Sequence, residues 1–161
     1  MARVALRKFA RTLGGVERIG LDTSALIYHL QDLIPYTALT MHLLTKAATG
    51  AAQLIISTVT VSEILAGPWR AGNKEGAKRI ETALRALPGV SFAEITWEAA
   101  SRGAELRGRT TLPLPDALIV ASAIEHGAQL IVTNDAVWRF KRLPCRVAVL
   151  DDYLIPNDSL L

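Results

Sequence analysis

Five short runs of branched apolar residues punctuate this chain: RIGLD at 18–22, QLIIST at 53–58, VSFAEI at 90–95, QLIVT at 129–133 and RVAVL at 146–150. In most of them the apolar residues are consecutive. A strand reads this way when both of its faces are covered, as in a parallel sheet packed between helices. Stretches of helical character separate the runs: SALIYHLQ, PYTALTMHLLTKAAT, VSEILAGPWRAG, Lys74–Leu87, Trp97–Arg107 and Pro115–His126. The last has proline in its first turn and Gly127 just past its end, the usual polarity of a helix. Such alternation predicts a single-domain three-layer α/β/α sandwich whose mostly parallel sheet has about five strands.

A length of 161 residues suits one such domain. No apolar run is long enough to span a bilayer, so no membrane partner is expected. Residues 1–17 are basic and faintly amphipathic, and they lack the apolar block of a secretory signal. They read as a mobile or loosely docked N-terminal extension ahead of a domain at 18–161. Cys145 is the single cysteine and cannot form an internal disulfide; with no sign of an oxidising compartment, a cytoplasmic setting is expected. The formal net charge of +3 tolerates a polyanionic partner without demanding one.

Four acids fall in equivalent places. Asp22 ends the first run, Glu63 lies one turn into the helix after the second, Asp116 opens a helix, and Asp135 follows the fourth run by two residues. In open α/β sheets, ligands gather beyond the carboxyl ends of the strands. Each acid also has a local explanation. Asp22 or Ser24 can cap a helix, Thr60–Glu63 fits a capping box, Asp116 suits a helix N-terminus, and Asp135 can cap a short helix at 136–140. Together they make a different case, because four converging carboxylates repel one another unless something positive neutralises them. Hard divalent cations suit such oxygen ligands; zinc does not, since His29, His42 and His126 are scattered.

LDTSALIYHL, TVTVSEILAG and PLPDALIVASAIEHGAQLIVTND, in that order and spacing, resemble the motifs of the PIN domain family, most of all the VapC-like ribonuclease toxins of type II toxin–antitoxin systems. The resemblance runs from about residue 18 to about 150, nearly the whole chain. It implies an endoribonuclease that uses one or two Mg²⁺ or Mn²⁺ ions to hydrolyse single-stranded RNA. Asp22, Glu63, Asp116 and Asp135 are then both the metal-binding and the catalytic acids. Thr133 would orient water or a carboxylate, with Ser24 or Thr23 in a lesser hydroxyl role. A homodimer and a small antitoxin that blocks the acidic cleft are implied too. The family's usual phenylalanine three residues after the fourth acid is here Trp138, with Phe140 nearby.

Cations and rings near the acids offer contacts to RNA: Arg107, Arg109, Trp138 and Arg139, alongside Ser24. Other readings fit the residues less well. An aspartyl-phosphate phosphatase wants an acid two residues after its nucleophile, where Ser24 follows Asp22. A phospho-receiver wants a lysine after a late strand, and Lys141 precedes the last one. No glycine-rich loop supports nucleotide binding. An inactive PIN-like module that binds RNA or protein is the remaining alternative.

Overall fold

The computed structural model describes residues 3–156, so residues 157–161, included above in the domain, lie outside the described residues. Five parallel strands form the central sheet: β2 (Arg18–Leu21), β3 (Gln53–Ser57), β4 (Val90–Ala93), β5 (Leu130–Thr133) and β6 (Arg146–Val149), in the order β4-β3-β2-β5-β6. The chain starts its sheet in the middle, builds outward through β3 and β4, and then returns to the other side of β2. The crevice between the ends of β2 and β5 is therefore the topological switch point, where such sheets place ligands.

Side chains alternate between two cores. Ile19, Leu21, Leu54, Ile56, Leu130 and Val132 face one, under α3 (Thr37–Ala48) and α5 (Lys74–Arg85). Ile55 and Ile131 face the other, under α6 (Trp97–Thr110) and α7 (Leu114–Glu125). Gly20 shows how closely α7 approaches: a Cβ there would stand 2.9 Å from Ile131 and 3.1 Å from Ala123. Helices α2 (Thr23–Leu30) and α4 (Thr58–Arg70) leave the carboxyl ends of β2 and β3. Among the described residues, no helix is long and apolar enough to cross a membrane.

The loosely docked N-terminal extension is corrected by the structure. Strand β1 (Arg3–Val4) pairs antiparallel with β7 (Leu154–Ile155), and α1 (Leu6–Thr12) follows. Phe9 and Leu13 are fully buried, Phe9 meets the Tyr153 ring edge-on at 4.8 Å, and Tyr153 Oη donates to Thr12 Oγ1 at 3.0 Å. The basic residues masked an amphipathic turn whose apolar side completes the first core. Leu13→Ala is accordingly expected to destabilise the chain by about 2 kcal/mol in urea unfolding. A docked-only segment would cost less than about 0.5 kcal/mol, the range of ordinary surface changes.

Candidate active site

Asp22 occupies the N-cap position of α2 yet makes no capping bond. It is almost wholly buried, and its Oδ2 instead accepts from Ser24 Oγ and Thr133 Oγ1, each at 2.8 Å. Both hydroxyls are themselves held: the Asn134 amide donates to Ser24 Oγ at 3.0 Å and the Asp135 amide to Thr133 Oγ1 at 3.0 Å. The turn after β5 thus grips the turn after β2 across the switch point. Asp22 Oδ1 receives no hydrogen bond among the described residues.

Glu63 does not close a capping box. Helix α4 begins earlier, at Thr58, with Ser57 as its cap, so Thr60 and Glu63 both lie inside the helix. Glu63 Oε2 accepts from the Thr23 hydroxyl, which also lies 3.0 Å from buried Thr60 Oγ1. Asp135 does cap, accepting from the Val137 amide at 2.9 Å at the start of the 3₁₀ helix Ala136–Phe140. Asp116 sits in the first turn of α7, partly buried.

The electrostatics tie the four together. Burial and then the charges of Asp22, Glu63 and Asp135, in that order, push the Asp116 carboxyl up from 3.8 to about 6. Carboxylates exert that effect only from within a shared, poorly hydrated space. Among the described residues, no three His, Cys, Asp or Glu side chains stand close enough to hold an ion as they are. The donor set of the cleft is carboxylate and hydroxyl oxygen alone, with neither histidine nor cysteine.

Trp138 corrects the sequence reading. It is 1% exposed, so its ring cannot be offered to a ligand. It is the floor beneath Asp116, favouring that carboxylate through its indole, while Nε1 closes no hydrogen bond of ordinary geometry. Arg139, also expected to contact RNA, is paired with Asp152 at 2.9 Å. Arg109 pairs with Glu105 one helical turn back, while Arg107 is exposed with no ion-pair partner among the described residues.

Sequence reasoning missed Asn134. Its Nδ2 donates to Tyr28 Oη at 3.2 Å, and its Oδ1 accepts from the Asp151 amide at 2.9 Å. Tyr28 stacks on Tyr36, which donates to Asp151 Oδ1 at 2.6 Å, and that bond raises the Tyr36 hydroxyl to about 12. The only sequence signal was the polar triplet Thr133-Asn134-Asp135 after an apolar strand. Because Ser24 links Asn134 to Asp22, Ser24→Ala is expected to cost about 1–2 kcal/mol in thermal or urea unfolding by leaving the Asn134 amide unpaired.

A search of curated proteins returns no match. Solved structures resemble the fold. VapBC2 from Rickettsia felis, bound to a DNA fragment from its promoter, is 19% identical, with 82% of this chain and 98% of that one covered at a TM-score of 0.63. A toxin–antitoxin complex from Klebsiella pneumoniae is 26% identical, covering 81% and 96% at 0.57. VapC20 of Mycobacterium tuberculosis, a toxin that cleaves the sarcin–ricin loop, is 16% identical, covering 76% and 94% at 0.59. The sequence itself matches the PIN domain over residues 19–144, most of its length, and the chain belongs to the PIN domain family.

Proposed function

We propose that this chain is a divalent-metal-dependent endoribonuclease acting on single-stranded or loop RNA, and the toxin of a toxin–antitoxin pair that assembles as a homodimer. The observation that carries the reading is the switch-point frame in which Ser24 and Thr133 hold buried Asp22, near Asp116, whose proton affinity is raised by burial and then by the charges of Asp22, Glu63 and Asp135. The toxin assignment leans on the resemblance to VapBC complexes and to VapC20, a toxin that cleaves the sarcin–ricin loop.

Hydrolysis joins a water oxygen to phosphorus as the bond to the departing ribose oxygen breaks, and negative charge builds on the phosphoryl group. Four carboxylates alone would repel that charge, so the cleft needs added positive charge to act on a phosphodiester. Asp22, Glu63, Asp116 and Asp135 would hold one or two Mg²⁺ or Mn²⁺ ions, whose oxygen preference fits this donor set. Such ions supply charge neutralisation and a more acidic water. Thr133 and Ser24 fix Asp22 Oδ2 and leave Oδ1 for the cleft, while Thr23 steadies Glu63. Trp138 excludes water beneath Asp116.

Incubating the purified chain with single-stranded RNA, with Mg²⁺ or Mn²⁺ and with EDTA, tests the proposal. Cleavage is expected only with the ion and is expected to vanish in Asp22→Asn. Cleavage that survives EDTA, or survives in Asp22→Asn, would sink it.

A further inference from the structure

Beyond the acidic cleft, a basic groove of about 660 Å³ lies between the end of α6 and residues 140–144. Arg102, Arg109, Lys141 and Arg142 line it with Phe140, against one acid, Glu105. Arg102 and Arg109 are engaged by Glu125 and Glu105. Lys141 and Arg142 have no ion-pair partner among the described residues, and Phe140 is 76% exposed. The Arg139 guanidinium lies 5.9 Å from the Phe140 ring centroid on one side, so two cations without an acidic partner stand beside a largely exposed ring that already has a cation against it. Cations matched to phosphates and a ring on which a base can stack are what a single nucleic-acid strand requires.

The groove's walls also lead to the acids. The segment Asp135 caps runs through Trp138, beneath Asp116, to Phe140, Lys141 and Arg142. On the other wall, Lys141 Nζ donates at 3.0 Å to Thr111 Oγ1, in the loop that enters the Asp116 helix. Thr111 and Arg142 both hold left-handed backbone, with φ of 60° and 49°, an uncommon conformation for such residues.

We propose that this groove is the RNA track of the protein. Lys141 and Arg142 hold phosphates of the strand outside the cleaved bond, and Phe140 stacks one base. The inference rests on the ribonuclease reading for its substrate class, but it can be tested apart from catalysis.

The experiment is binding of a short fluorescein-labelled single-stranded RNA to the full chain in EDTA, read by anisotropy across a salt series. In K141Q/R142Q, affinity is expected to fall on the order of twentyfold at about 0.1 M salt, with the log–log salt slope shallower by about 1.4. Phe140→Ala is expected to weaken binding about tenfold with the slope unchanged. The charge-conserving K141R/R142K should keep wild-type affinity, which separates charge from misfolding. Unchanged affinity and slope in K141Q/R142Q would overturn the proposal. So would an equal loss in K78Q/R85Q, where the same charge is removed from α5. Retention of polyglutamate in preference to RNA by the same residues would replace it with an acidic-peptide groove. A wild-type chain that binds RNA here in EDTA, yet fails to cleave it once Mg²⁺ or Mn²⁺ is supplied, refutes the nuclease reading and leaves the track standing.

Discussion

Asp116→Asn is expected to lower RNA cleavage by at least about a thousandfold, since one charge-stabilising ligand is worth about 4 kcal/mol of barrier. The same substitution is expected to make the ion-free protein more stable at neutral pH. The sign follows from the raised proton affinity. With a folded value of about 6 against 3.8 unfolded, the native state holds its proton more tightly across that interval. The associated stability is fully present below pH 3.8 and is lost as pH rises through about 6. Asparagine carries no charge to repel Asp22, Glu63 and Asp135. Melting curves in EDTA should therefore converge near pH 4 and separate above pH 6, with the variant ahead by about 1 kcal/mol after allowance for solvent screening. Divalent ion should raise the wild-type melting temperature more than that of the variant. A variant less stable than wild type at pH 8 would mean that Asp116 is held by partners rather than opposed by neighbours.

Trp138→Ala is expected to cost about 4 kcal/mol, because a fully buried indole leaves a large cavity when truncated. The loss is expected to reach beyond stability. Trp138 packs in the second core with Leu106, Leu112 and Ala117, the residue that follows Asp116 in α7. Its removal should strip away cover that disfavours the Asp116 carboxylate along with an indole that favours it; since burial is the larger effect, the carboxyl should move back toward its ordinary range, observable by NMR titration of the variant. Phe140→Ala, two residues on and exposed, should leave the urea midpoint within about 0.5 kcal/mol of wild type. Equal destabilisation by both changes would contradict the burial that sets them apart.

The five strands and their helices were legible because consecutive apolar residues leave a parallel strand no other home. That Asp22 directly follows β2 and that Asp135 caps the short helix after β5 was legible from the apolar runs that precede them. The hydroxyl frame was legible only in part, because the bond from Thr133 to Asp22 spans most of the chain. Trp138 and Phe140 were indistinguishable in the string VWRF; a 3₁₀ turn sends one ring inward and the other out. Residues 1–17 were misjudged because their arginines and lysines outnumber the two large apolar side chains that anchor them. Phe9 and Leu13, four apart, share one helical face.

The pairing of Arg3 with Ile155 closes a loop around almost the whole polypeptide. Contacts so remote along the chain can form only after the intervening sheet has drawn the two ends near, and two-residue strands add little to hold them. We expect that clasp to open ahead of the central sheet on heating, with the amides of Val4 and Leu154 exchanging hydrogen before those of β2 and β5. A protease would then meet the backbone around Ala5, freed from its bond to the Tyr153 carbonyl, while the acids around the switch point still stood in their native frame.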